Sequence, residues 1–246
     1  MTRGVLVISH GSPNISWVQK IDGLLNQLKI RLPTEAAFLG MVEDRTIQKG
    51  IERLEAKGVE EILAIPLFVS SGSTHLSEIQ YALGLIDEPG VETDLKPLLI
   101  RARVIWAEPM DDHPIIREIL RDRVQELSDN PAEEVLLLAA HGSDVPGFKE
   151  RWERMLGRLA SGLRRELGLN GATYATIHPD TLARRARAVS KKNRLLIVPV
   201  FLSPGYYTEK AMPGKLDGIV HRYNGKAYLP DARIARWIEE TIAAYL

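Results

Sequence analysis

Two continuous apolar runs dominate the hydrophobic pattern of the chain, and each leads into a His-Gly-Ser motif. Residues 5–8 lead to His10, and residues 136–140 lead to His141. An apolar run without polar alternation is typical of a strand buried on both faces of a parallel sheet. Each histidine is therefore predicted to follow a strand at the carboxyl edge of a sheet, which is where open α/β folds bind ligands.

A second motif also occurs twice. Residues 65–72 read Ile-Pro-Leu-Phe-Val-Ser-Ser-Gly, and residues 198–205 read Val-Pro-Val-Phe-Leu-Ser-Pro-Gly. Both motifs recur at a spacing of about 130 residues, which indicates an internal duplication. We therefore predict two similar domains, residues 1–130 and 131–246, joined by the turn-forming residues 129–131.

Strands and helices alternate through both halves. Apolar residues at helical spacing predict helices at residues 14–30, 47–57, 76–85, 111–127, 147–167 and 182–189, with a closing helix after residue 231. Further strands are predicted at residues 36–41, 61–69, 98–107, 172–177, 195–202 and 226–229. This order predicts an α/β fold of two tandem halves, each with a parallel sheet flanked by helices and right-handed crossovers.

Composition narrows the possible partners. Lys and Arg together number 32, as do Asp and Glu, so the chain lacks the basic excess that a main role in nucleic-acid binding requires. The absence of cysteine excludes disulfides, thiolate metal ligands and cysteine nucleophiles. No signal-peptide core is present at the start, and no apolar run approaches the roughly 20 residues of a membrane span. We expect a cytoplasmic monomer or homodimer with no nucleic-acid or membrane partner.

The predicted strand ends of the first half carry His10, Glu43 and His75. Two imidazoles and a carboxylate suit a borderline divalent metal ion. A neutral histidine, with an ordinary pKa of about 6.5, can also accept a proton. Simpler structural roles stay open for the histidines and for Glu43. A histidine after a strand is often a turn or capping residue. Glu43, beside Asp44, could be an acidic residue at a helix N-terminus.

The equivalent positions of the second half carry His141, His178 and either Tyr207 or Thr208. A hydroxyl nucleophile is disfavoured, because Ser12 lies outside any G-x-S-x-G elbow. No glycine pattern predicts a nucleotide site either.

Together these motifs, the duplication and the final helix resemble the class II tetrapyrrole chelatases. They are most similar to the sirohydrochlorin cobalt- and ferrochelatases of the CbiX/SirB type in the two-repeat form, over essentially the whole chain. The resemblance implies insertion of a divalent ion into metal-free sirohydrochlorin, in cobalamin or siroheme biosynthesis. It implies no organic cofactor, a small-molecule tetrapyrrole substrate, and Co²⁺, Fe²⁺ or Ni²⁺ as the metal substrate.

The resemblance also implies roles for particular residues. The first repeat would carry the metal site, with His10, Glu43 and His75 as both metal ligands and catalytic residues, and the second would complete a cleft between the halves. The family's Gly-x-His loop is one residue longer here. Residues expected to bind the tetrapyrrole are Ser12, Ser71, Gly72, Ser73, Thr74, His141 and Tyr207.

Two other classes of function remain as alternatives. The first is a metal or tetrapyrrole carrier that has the chelatase fold but no turnover. The second is a phosphatase-like hydrolase using His10. The hydrolase is disfavoured because Ser9 stands where histidine phosphatases have the arginine that grips phosphate.

Overall fold

The computed structural model describes residues 2–246, and these form two four-stranded sheets in which every pairing is parallel. The first sheet contains β1 (Arg3–Ser9), β2 (Thr34–Phe38), β3 (Glu61–Pro66) and β4 (Arg103–Trp106), in the order β2-β1-β3-β4. The second contains β5 (Glu134–Gly142), β6 (Gly171–His178), β7 (Arg194–Val200) and β8 (Arg222–Tyr223), in the order β6-β5-β7-β8. The two orders correspond strand by strand, so the predicted α/β fold with duplicated parallel sheets is confirmed.

Helices connect and flank these strands. They are α1 (Ile15–Leu25), α2 (Ile47–Ala56), α3 (Thr74–Ala82), α4 (Pro114–Gln125), α5 (Phe148–Leu167), α6 (Leu182–Ser190), α7 (Met212–Lys215) and α8 (Arg233–Tyr245). A 3₁₀ turn at Glu43–Arg45 precedes α2, and a π-helical turn at Tyr207–Ala211 precedes α7. Among the described residues, every helix is too short or too polar to cross a bilayer.

Both faces of each central strand are buried. Successive strand residues point to opposite faces of the sheet, and nearly all residues of β1 and β5 are buried. In β1, Leu6 and Ile8 belong to a buried cluster that also contains Ile51 of α2. In β5, Leu137 belongs to an equivalent buried cluster that contains Leu182 of α6. Burial on both faces of the central strands explains why their sequences read as continuous apolar runs.

The chain divides into two compact units that do not follow the sequence repeats. The first unit comprises the residues up to Phe68, Ser73–Met110 and Ala232–Leu246. The second unit comprises Val69–Gly72 and Asp111–Asp231. Helix α4 therefore precedes residue 130 in the sequence but belongs to the second unit, whereas α8 ends the chain and belongs to the first.

Several predicted elements need correction. The strand predicted at residues 226–229 is wrong, because the paired strand is β8 at Arg222–Tyr223. Residues 227–229 are buried but irregular, and the N–H groups of Tyr228 and Leu229 donate to the carbonyls of Phe201 and Leu202, just beyond the end of β7. Helix α1 ends at Leu25 rather than near residue 30. Helix α3 begins at Thr74, so His75 is helical rather than part of the preceding loop.

Candidate functional site

His10 follows β1 directly, and the turn after it fixes the ring. Gly11 has a φ of 93°, and a Cβ there would lie 2.1 Å from the Gly40 carbonyl oxygen, so the turn requires glycine. The Gly40 N–H donates to the His10 carbonyl at 3.2 Å. The His10 Nδ1 lies 3.1 Å from the Gly11 carbonyl oxygen. Because a carbonyl only accepts, Nδ1 carries the hydrogen and the lone pair is on Nε2.

His75 lies in the first turn of α3 and is oriented by a carboxylate. Its Nδ1 lies 2.9 Å from Oε1 of Glu78, and the other oxygen of Glu78 accepts a 2.9 Å hydrogen bond from Thr93 Oγ1. The Glu78 side chain is only 17% exposed. The carboxylate accepts the Nδ1 hydrogen, so the lone pair of His75 is also on Nε2. The sequence pattern did not single out Glu78, since the helix was expected to begin at residue 76. A start at Thr74 reveals the i,i+3 pair.

The two rings of His10 and His75 are in contact. Their centroids are 4.7 Å apart, and the ring planes meet at 65°. Burial, and then the charge of His10, lower the pKa of His75, while Glu78 acts in the opposite direction. The lowered pKa keeps His75 unprotonated near neutral pH, which is the form that binds metal ions and accepts protons.

Glu43 does not join the histidine pair. It lies in the exposed 3₁₀ turn, five residues beyond the end of β2. In the part of the chain that the structure describes, no group of three or more His, Asp or Glu side chains is arranged to hold a metal ion. The structure thus brings together two of the three predicted ligands, and a role for Glu43 stays a prediction.

The second sheet repeats the histidine turn with different neighbours. His141 is the last residue but one of β5, and its Nδ1 lies 3.1 Å from the Gly142 carbonyl oxygen. The ring centroid of His141 is 4.8 Å from that of His178 and 5.2 Å from that of Tyr207. The His178 Nδ1 lies 3.6 Å from a carboxylate oxygen of Asp144. The carboxyl edge of the second sheet therefore holds two imidazoles, His141 and His178, and the phenol of Tyr207.

The remaining predicted substrate-binding residues lie in turns next to the histidines. The Ser12 Oγ accepts a 3.1 Å hydrogen bond from the Asn14 N–H, just before α1. Residues 71–72 lie in the loop before α3, Ser73 occupies the N-cap position without a side-chain capping hydrogen bond, and Thr74 is the first residue of the helix. Substrate contacts by these residues stay a prediction.

Two parallel sheets of matching strand order, with paired imidazoles at the carboxyl edge of the first, define a protein of the class II chelatase type. The sequence model of the family described as CbiX matches residues 4–127 and again residues 135–243. The chain therefore belongs to the CbiX family.

Proteins similar to this chain carry names that agree with this family. A sirohydrochlorin cobaltochelatase from Methanopyrus kandleri is 26% identical over 136 residues, which are 50% of this chain and 94% of that protein. One from Priestia megaterium is 26% identical over 212 residues, covering 82% of this chain and 65% of that protein. The solved structure of SirB from Bacillus subtilis with Fe³⁺ has a TM-score of 0.72 at 16% identity, covering 99% of this chain and 96% of that one. At this identity the structural likeness shows a shared fold.

Proposed function

We propose that the protein inserts a divalent metal ion, Co²⁺ or Fe²⁺, into sirohydrochlorin, in cobalamin or siroheme biosynthesis. The observation that carries the proposal is the contact between the imidazoles of His10 and His75, 4.7 Å apart, in a chain of the CbiX family. The names of the relatives support sirohydrochlorin as the acceptor of the metal.

The histidine pair is suited to a metal that must leave again. Both rings use Nδ1 as a donor, so both present Nε2 lone pairs. Imidazole binds Co²⁺, Fe²⁺ and Ni²⁺ alike, so cellular availability rather than the ligands would select the metal. A site with few protein ligands holds the ion less tightly than a closed structural cage and leaves coordination positions open for the tetrapyrrole nitrogens.

The macrocycle must lose two pyrrole protons as the ion enters. We assign the third ligand and proton-accepting role to Glu43, which would have to approach the ion by a rearrangement of the Glu43–Arg45 turn. A neutral histidine that has released the metal is the other available base. The strained backbone of Met41, with a φ of 65°, lies two residues before this turn.

The first repeat, residues 1–130, is proposed to carry the metal site. Ser12 and residues 71–74 of this repeat are proposed to contact the macrocycle. His141 and Tyr207 are proposed as further substrate contacts from the second repeat, residues 131–246.

Anaerobic insertion of Co²⁺ and Fe²⁺ into sirohydrochlorin, followed by absorbance, tests the proposal on the wild type, His10→Ala and His113→Ala. His113 is a matched control, since its Nδ1 accepts the Ile115 N–H at 3.3 Å and caps α4. We expect turnover in the wild type and in His113→Ala, and a loss of at least about 100-fold in His10→Ala, the usual contribution of a positioned group that accepts a proton.

Turnover that survives in His10→Ala would place the reaction at His141 and His178 instead. A wild type that binds metal or sirohydrochlorin but shows no turnover with Co²⁺, Fe²⁺ or Ni²⁺ would identify a carrier. Both outcomes contradict the proposal as stated.

A further inference from the structure

The loop Ser70–Gly72 is anchored by the partly buried carboxylate of Asp111. The Ser71 N–H donates to Oδ1 of Asp111 at 2.8 Å. The Gly72 N–H donates to Ser70 Oγ at 3.0 Å, and the Ser70 hydroxyl in turn interacts with Asp111. Successive N–H groups of the loop therefore reach the same carboxylate, one directly and one through a hydroxyl.

Asp111 has an unusual backbone conformation. Its φ of 39° is left-handed, a region that aspartate tolerates better than most residues. Burial raises the pKa of Asp111, and hydrogen bonds from Ser71 and Ser70 oppose that rise. The neighbouring ionisable groups that interact with it are Asp112 and the fully buried Tyr228. A partly buried carboxylate on a left-handed backbone is costly, which indicates a role beyond filling space.

The other side of the loop is packed too closely to accept a side chain. A Cβ at Gly72 would lie 2.4 Å from Trp152 Cδ1 and 2.6 Å from the Phe148 carbonyl oxygen, both in the first turns of α5. The Ser71 carbonyl accepts a 3.4 Å hydrogen bond from Arg151 Nη1. The loop is thus clamped between α5 and Asp111, and both belong to the second unit.

We propose that Asp111 is a positioning residue that holds the backbone of Ser71 and Gly72 where the tetrapyrrole contacts it. The inference rests on the proposed function, in which residues 71–74 bind substrate. In the sequence, Gly72 is followed directly by Ser73 and α3. Asp111 lies 40 residues away from the loop in sequence, and no local pattern connects the two.

The experiment measures anaerobic Co²⁺ insertion against sirohydrochlorin concentration for the wild type, Asp111→Ala, Asp111→Asn and Asp112→Ala. Asp112 is the matched control, because its carboxylate pairs with Arg158 at 3.4 Å. In Asp111→Ala we expect KM for sirohydrochlorin to rise about tenfold, with a much smaller change in kcat, since removing a hydrogen bond to a charged group has an effect of that order. Asp111→Asn retains an acceptor oxygen, so its KM for sirohydrochlorin should stay close to the wild-type value. Asp112→Ala should match the wild type.

Amide hydrogen exchange of Ser71 and Gly72 provides a measurement that is independent of turnover. Exchange at both amides should be faster in Asp111→Ala than in the wild type, and near wild type in Asp111→Asn. If the wild type inserts no metal, the proposed function fails, and the exchange rates still decide whether Asp111 holds the loop.

A wild-type KM together with wild-type exchange in Asp111→Ala would overturn the inference. So would an equal rise of KM in Asp112→Ala, which would point to general disturbance of the segment. If Asp111→Ala does not fold, Ser70→Ala replaces it, because this change removes the hydroxyl that links Gly72 to Asp111. A severalfold rise of KM in Ser70→Ala supports the inference, and an unchanged KM overturns it.

Discussion

Replacing Glu78 with alanine should weaken Co²⁺ binding by about 10- to 100-fold. The change removes the 2.9 Å contact between the His75 ring and a carboxylate that is only 17% exposed. A hydrogen bond to a charged group contributes about 1.5–3 kcal/mol, and each 1.4 kcal/mol corresponds to roughly a tenfold change in affinity. Carboxylates behind metal-binding histidines have effects of the same size, about 10- to 100-fold.

Glu78→Gln separates the charge from the hydrogen bond. Its amide oxygen can still accept the Nδ1 hydrogen of His75, but the negative charge is gone. Because Glu78 opposes the lowering of the His75 pKa by burial and by His10, losing the charge lowers that pKa further. His75 then stays unprotonated to more acidic pH. The acid limit of Co²⁺ binding should therefore move to lower pH, even though affinity at pH 8 is reduced.

Calorimetric titration with Co²⁺ alone, between about pH 5 and pH 8, measures both effects without the tetrapyrrole. Glu52→Ala is the control, since Glu52 is an exposed residue of α2 that contacts Gln48. Wild-type Co²⁺ affinity in Glu78→Ala would refute the assigned role. An acid limit that moves to higher pH in Glu78→Gln would refute the electrostatic reasoning.

Four further substitutions concern stability, measured as the free energy of unfolding in urea. Gly11→Ala should destabilise the protein by about 2–4 kcal/mol, because the new Cβ would lie 2.1 Å from the Gly40 oxygen at a φ of 93°. Gly58→Ala, at a φ of 78° with open space around it, should cost only about 1 kcal/mol. Equal losses in the two variants would contradict the steric argument. Met41→Gly should stabilise by about 0.5–1 kcal/mol, since it relieves a left-handed methionine. Tyr228→Phe should leave stability unchanged or raise it by about 1 kcal/mol, because the buried hydroxyl has no hydrogen-bond partner in the described structure; a loss above about 1 kcal/mol would disprove this.

The central strands and long helices could be predicted because burial on defined faces leaves a regular pattern. Strands β1 and β5 are buried on both faces, and both appear as continuous apolar runs. The helix predicted at residues 147–167 is α5, Phe148–Leu167, which has one wide apolar face. The wrong strand at residues 226–229 shows the limit of this reasoning. Ala227, Tyr228 and Leu229 are buried, but burial in an irregular segment produces the same apolar run as a paired strand.

The tertiary contacts of helices and side chains were harder to predict than the helices and strands themselves. Periodicity shows which face of α4 is apolar but not which compact unit that face packs in. Within the candidate site, the strand-end rule placed His10 correctly. His75 required the true start of α3, and Glu78 became visible only with it. Asp111 approaches Ser71 through a tertiary contact that no short-range pattern encodes.

The position of α8 has a consequence for how the chain is made. Ile234, Trp237 and Ile238 of this helix are buried, and the helix packs on β3 and α1. A ribosome releases β3 and α1 long before it synthesises α8. The first sheet therefore emerges with part of its apolar surface uncovered, while residues 111–231 of the second unit are still being translated. Domains usually fold in the order in which they are synthesised. Here the first unit would be the last to be completed, and its nascent form is the stage at which we expect dependence on chaperones.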